Sequence, residues 1–235
     1  MQSSFPHPTA ARWMGMLFLV AIVVYATGNV LIDRVCIGDD FLAQLPAHRI
    51  AISVGALLLL LNTLAVVGIG VLSRPFLKPA YPFTADLYFA LRIVEGLLLA
   101  LGIVALLALI PLSEQYAQAE DGLRRPLQGL AHLLRRFNFY AYQLGMVVLG
   151  VGGTAFCSVL YRHVLVPRWL ACLGMAGYLG LLAGAVAEVV GYPIGLMLAG
   201  PGGVFELVFG IWLIVQGLPV ARVRGTDASG ESPLT

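Results

Sequence analysis

The sequence reads as an all-α integral membrane protein: six transmembrane helices in one bundle, with a short basic amphipathic interfacial helix between helices 3 and 4. Three observations carry this reading. Apolar residues fill 60% of the 235 positions, against roughly 45–50% in a typical soluble domain. Charged residues fill 11%, against roughly 25%. The apolar residues also gather into six windows of about 20, the length that crosses a bilayer core about 30 Å thick. A soluble fold could not bury that much apolar surface and still cover itself with polar side chains. A disordered chain and a disulfide-stapled secreted domain are excluded on the same grounds. The formal charge of +2 is too small to imply a polyanionic partner. No nucleic-acid partner is therefore expected; the partner this composition requires is the lipid bilayer.

The transmembrane domain is expected over 13–218, between an N-terminal tail (1–12) and a disordered C-terminal tail (219–235). Span one, 13–32, opens at Trp13. Its apolar stretch is too long for a signal peptide, and no small-x-small cleavage site follows it. Span two, 50–72, holds the run Leu57 to Leu61 and precedes Arg74-Pro75. Span three, 87–110, is expected to end at Pro111. In the loop that follows, Leu123, Leu127, Leu130, Leu134 and Phe137 recur at helical spacing beside Arg124, Arg125, Arg135 and Arg136. A helix starting near Pro126 would suit the membrane interface. Span four covers 137–160. Span five, 170–190, follows Trp169 and stops at Gly191-Tyr192-Pro193. Span six, 201–218, has Pro201 in a first turn, where proline is tolerated, and closes at Gly217 and Pro219.

Six spans put both termini on one side. That side holds Arg12, Arg74, Lys78, Arg162, Arg168, Arg222 and Arg224; the other holds Arg34, Arg49, Arg124, Arg125, Arg135 and Arg136. The asymmetry is small. It favours cytoplasmic termini because Arg124 and Arg125 lie far from a span end, where the positive-inside rule weakens. The expected location is a bacterial cytoplasmic membrane; a single Lys among 14 basic residues fits a GC-rich genome.

Ionisable groups inside a span are expensive, about 2.5–3.5 kcal/mol at a helix centre on insertion scales. Four occur: Arg92 and Glu95 in span three, Glu188 in span five and Glu206 in span six. Asn29, Asn62 and Gln143 add amides. Helical phase places them on faces rich in small residues. Ala176, Gly180, Gly184 and Glu188 repeat every fourth position, Gly203, Glu206, Gly210 and Gly217 share a stripe, so do Tyr140, Gln143, Gly150, Thr154 and Cys157, and Tyr25 lies four before Asn29. Small residues at such spacing let helices approach closely, so the polar groups should face protein. Rise per residue places Asn29, Gln143, Glu188 and Glu206 in the outer half, Asn62 and Glu95 near the midplane and Arg92 in the inner half. This predicts an outward-opening polar cavity with a charged floor. Arg92 and Glu95, three apart on one helix, can pair. Glu206 and Glu188 then lack a cation from this chain and would take a proton, a cation or a cationic ligand; as a bland alternative, Glu206 would be a first-turn acid favoured by the helix dipole.

Other chemistry is missing. His7, His48, His132 and His163 lie outside the span centres and show no metal-ligand spacing. The cysteines Cys36, Cys157 and Cys172 form no CxxC pattern, and Cys157 and Cys172 are expected to be buried. No HExxH, GxSxG or GxxxxGK[ST] occurs. No cofactor, metal or catalytic residue is expected. Spans three and six each carry a mid-helix Glu, a faint sign of an inverted repeat.

Several segments together resemble a known family: Arg92-Ile-Val-Glu95, Tyr140 to Gly153 ahead of Tyr161-Arg162, Val166-Pro167-Arg168-Trp169-Leu170 with Gly174 to Gly180 following, Gly203-Val-Phe-Glu206-Leu, and Ile211-Trp212 through Gly217. Their order resembles the bacterial multi-span family catalogued as domain of unknown function 4386. The resemblance implies a six-helix integral membrane protein and no reaction. Where that family often carries a His near the start of span four, this chain reads Phe137-Asn138-Phe139. Three function classes follow. The first is binding or transport of a small molecule, lipid or proton through an intramembrane cavity lined by Arg92, Glu95, Glu206, Glu188, Asn62, Gln143 and Asn29. The second is a structural or partner-binding subunit, and the third an intramembrane enzyme. A continuous cavity reaching the polar stripes discriminates in favour of the first.

Overall fold

The computed structural model describes residues 7–38 and 40–219. Among them are six long helices and no strand: α1 (His7–Val35), α2 (Arg49–Leu77), α3 (Pro82–Gln118), α4 (Asp121–Arg162), α5 (Arg168–Val190) and α6 (Gly195–Gln216). Each is long and apolar enough to cross a membrane, which makes this a multi-pass membrane protein. The expected tail at 219–235, with Arg222 and Arg224, lies outside the described residues from 220 onward. At the other end the helix already begins at His7, inside the expected tail.

Each helix packs on the next in sequence, and α6 packs back on α1, closing a ring. Neighbours run antiparallel. Gly28 of α1 meets Gly55 of α2 while Gly68 meets Leu17; Gly102 of α3 meets Asn138 of α4 while Gly152 meets Leu91; Gly15 of α1 meets Gly210 of α6. The start of α1 and the end of α6 therefore share one side, the termini side, opposite the far side. The ring's outside is apolar: Leu57, Leu64 and Val71 of α2 and Leu97, Leu101 and Val104 of α3 point away from the protein. Between layers of lipid and protein that are equally apolar, helices associate through small residues and interhelical hydrogen bonds. Hence glycine marks the contacts better than leucine does.

The sequence-based boundaries need three corrections. Pro111 does not end the third helix, which continues to Gln118. Proline removes one backbone hydrogen bond, but in a membrane bundle packing re-satisfies the site; Leu112 and Tyr116 beyond it are buried. Pro201 is likewise inside α6, not in its first turn, because α6 starts at Gly195. The short interfacial helix is not a separate element: residues 121–136 are the first turns of the 42-residue α4. At 1.5 Å per residue α4 is about 63 Å long, twice a bilayer core, so its start stands beyond the membrane. No proline lies between Leu127 and Phe137, and packing holds the stretch helical through Gly129. Ala131 is fully buried, and Leu127 and Leu134 pack against a far-side cluster that includes Phe41, Leu106, Leu109 and Tyr116.

A one-turn helix (Phe41–Gln44) and a 3₁₀ turn (Leu45–His48) cap that side. Phe41, Leu42 and Leu45 plug into the far-side cluster. Asp40 Oδ1 accepts hydrogen bonds from the Tyr116 hydroxyl and from Gln128 Nε2, each at 2.8 Å. Arg135 of α4 pairs with Asp33 of α1 at 2.9 Å. At the ends of α5 and α6, Gly191 and Gly217 take positive φ angles of 101° and 75°, the left-handed region that costs other residues about 1–2 kcal/mol.

Candidate functional site

Arg92 sits in the first third of α3 and is 2% exposed; Glu95, one turn on, is 1% exposed. The guanidinium Nη1 donates to Glu95 Oε2 at 3.0 Å and to Oε1 at 3.3 Å. Its Nε donates to the Tyr88 hydroxyl at 2.9 Å, one turn earlier on the same helix. The charge centre also lies 5.2 Å from the centroid of the Tyr88 ring and 6.0 Å from that of Phe18. Space for the Arg92 stem comes from Gly70 of α2, where a Cβ would stand 2.8 Å from that of Arg92. One nitrogen remains: Nη2, with its two N–H bonds, is buried and has no hydrogen-bond partner. A buried unpaired donor is worth roughly 1–3 kcal/mol of desolvation, more when charged.

Glu206 of α6 faces Arg92 across the ring. Its Oε1 accepts the Tyr178 hydroxyl of α5 at 2.9 Å. Tyr178 reaches that position because its ring lies flat over Gly153 of α4, where a Cβ would come within 2.5 Å of it. Arg92, Glu95, Glu206 and Tyr178 all line one chamber of about 280 Å³ near mid-depth, with walls from all six helices. Its termini-side end is shut by an aromatic plug. Tyr88 stacks on Phe156 (4.8 Å between centroids), Phe205 stacks on Phe209 (5.1 Å), and Phe18 meets Phe209 edge-on. A second cavity of about 260 Å³ continues toward the far side, where Asp33 and Arg135 line it. Tyr25, Asn62, Leu99 and Tyr142 line both. The rings of Tyr25 and Tyr142 stack at 5.6 Å between the two spaces.

The expected site residues distribute as follows. Arg92, Glu95 and Glu206 share the mid-depth chamber, so Glu206 is not at a separate depth from the pair. Asn62 lines both spaces, and Asn29 and Gln143 line the far-side one. Glu188 lines neither. Its Oε1 accepts the backbone N–H of Gly195 at 2.9 Å and so caps the start of α6. Glu206 is three turns inside α6, beyond the reach of the helix dipole, which fades after the first turn. The expected faces also need adjusting. Ala176 and Cys172 of α5 are exposed while Gly174, Gly177 and Tyr178 are buried; on α4, Tyr140 faces outward and Tyr142 inward. A stripe of one residue every four drifts round a 3.6-residue helix, and exposed positions here face lipid, where small apolar residues are at home.

Of Tyr88, Tyr178, Tyr25 and Tyr142, the polar stripes of the sequence include only Tyr25, four residues before Asn29. Tyr88 also has a local signal, four residues before Arg92. Tyr178 and Tyr142 reach the site from separate helices and have none.

The sequence model of the family described as Domain of unknown function (DUF4386) matches residues 13–217. The chain belongs to that family. The matched stretch of this DUF4386 protein spans from the first turns of α1 to the end of α6 and holds every residue of both cavities. No curated protein and no solved structure matches it.

Proposed function

We propose that this protein binds a small polar-headed molecule inside the membrane, in the chamber between Arg92 and Glu206. The observation that carries the reading is the Arg92 guanidinium, buried in the chamber wall with Nη2 unpartnered. A fold that used Arg92 only to hold helices together would gain by satisfying that donor, since buried polar groups are overwhelmingly paired. A donor left open beside a cavity is how a site awaits an acceptor. The paired far-side cavity offers the same chamber a polar route toward Asp33 and Arg135, as a transporter needs.

The test is mass spectrometry of the protein released from its own membrane in polymer discs, wild type beside Glu206→Gln. Gln is nearly isosteric and keeps the bond to Tyr178, so both proteins should melt together. Wild type should carry a bound molecule near one per chain, and Glu206→Gln should carry less of it. Wild type holding only bulk membrane lipid, in the same proportions as the variant, would sink the reading.

A further inference from the structure

The chamber has a side opening. On the termini side α1 and α6 touch backbone to backbone, and a Cβ at Gly15 would fall 2.5 Å from the Gly210 carbonyl oxygen. Toward the far side the two helices part. A Cβ built at Gly200 or Gly203 meets nothing within 4 Å. Ala26 of α1 and Gly203 of α6 line the chamber and yet are exposed. The opening therefore lies between them. Ala26 is nine residues short of the end of α1, about 14 Å at 1.5 Å per residue, which is the depth of acyl chains. Val23, Val204 and Leu207 around it are exposed and apolar.

The polar atoms left open inside specify a head group. The Arg92 charge is already met by Glu95 through two hydrogen bonds. With Glu206 the chamber holds two carboxylates for one guanidinium, so an anionic head would add a third negative charge. At the charged end what remains is Arg92 Nη2, whose two N–H bonds have no acceptor, and the second oxygen of Glu206, whose first oxygen takes Tyr178; the Asn62 amide lines the chamber where it meets the far-side cavity. No ion pair joins Arg92 to Glu206, so the two face each other across a gap. A hydroxyl fills it with a single atom, accepting from the guanidinium and donating to the carboxylate. A carboxylate cannot donate, and a quaternary ammonium does neither. A volume of about 280 Å³ is just under the range of pockets that enclose whole small ligands, about 300–1,000 Å³. It holds a head group and the first methylenes and leaves a chain outside.

We propose that the chamber takes a hydroxyl-headed amphiphile from the bilayer, entering between Ala26 and Gly203 and seating its hydroxyl between Arg92 Nη2 and Glu206. This rests on reading the chamber as a binding site. The test uses the full-length protein reconstituted in phospholipid vesicles and three photoreactive probes with one chain and one diazirine near the head: hexadecanol, palmitic acid and hexadecyltrimethylammonium. A hydrogen bond to a charged group is worth roughly tenfold in affinity. The alcohol should therefore label segments 21–26 and 199–206 about tenfold more than the other two, and unlabelled hexadecanol should suppress it. Gly203→Leu, whose side chain has room outside the packed core, should abolish labelling at unchanged melting temperature; Gly200→Leu, which does not line the chamber, should not. Equal or stronger chamber labelling by the acid or the ammonium would overturn the hydroxyl assignment and leave chamber binding standing. Full labelling of Gly203→Leu would overturn the side opening. No chamber labelling by any probe, with no molecule co-purifying, would overturn both the amphiphile and the binding site.

Discussion

Arg92 sets the terms for its neighbours. It buries a full charge on a bilayer-spanning helix and answers it with Glu95 on its own helix and the Tyr88 hydroxyl beneath. Removing one member of a buried pair leaves an uncompensated charge, which costs about 3–5 kcal/mol in soluble proteins. Arg92→Ala should therefore lower the melting temperature and folded yield sharply, and Arg92→Ala combined with Glu95→Ala should recover part of the loss. A double variant no more stable than Arg92→Ala would show that the two do not act as a pair. Tyr88→Phe removes the acceptor for Nε and leaves a second buried donor open. It should destabilise by about 1–3 kcal/mol, read as a drop in thermal melting, with the Arg92–Glu95 pair still in place.

The helices meet through glycines, but not all glycines are equivalent. At Gly153 a Cβ would collide with the Tyr178 ring, and at Gly203 it would meet open space. Gly153→Ala forces that ring to move, an overpacking change worth about 1–3 kcal/mol, and it pulls the hydroxyl from Glu206. Gly203→Ala adds only helix propensity, where Ala exceeds Gly by about 1 kcal/mol. Thermal melts should therefore fall for Gly153→Ala and hold or rise for Gly203→Ala. The opposite order would mean that α4 and α5 are not in the contact described. The long α4 makes a related point. Its first turns are helical because Ala131, Leu127 and Leu134 have Phe41 and Tyr116 to pack on, so tertiary contact, and not an interface, uses their apolar face.

The ring as a whole is asymmetric along the membrane normal. The termini side is shut by stacked aromatics, and both cavities lie from mid-depth toward the far side. If the basic residues orient the chain as expected, the termini are cytoplasmic and the cavities belong to the outer half. A cysteine introduced at Ser229 of a variant lacking the native three should then react with an impermeant maleimide only after permeabilisation. Reaction in intact cells would reverse the orientation and place the side opening in the cytoplasmic leaflet.

Hydropathy alone established six crossings, because a segment of about 20 apolar residues has no other stable home. The price of burying charge likewise singled out Arg92, Glu95 and Glu206 without any coordinates. The amphipathic spacing near Pro126 was legible too, but not what covered it; that required the far-side cap to come back from residues 41–48. Pro111 and Pro201 read as boundaries because proline breaks isolated helices, whereas here neighbouring helices hold the chain helical through both. Glu188 and Glu206 look alike in sequence, each an unpaired acid among glycines. Tertiary structure separated them, giving one the Gly195 amide and the other an open chamber. Nor does any local pattern join Tyr25 to Tyr142 or Tyr178 to Glu206, residues 117 and 28 positions apart. Such partners depend on which helices the ring makes adjacent and on the rotation of each about its axis. In a membrane, where the outer face is as apolar as the core, the periodicity that would reveal that rotation is weak.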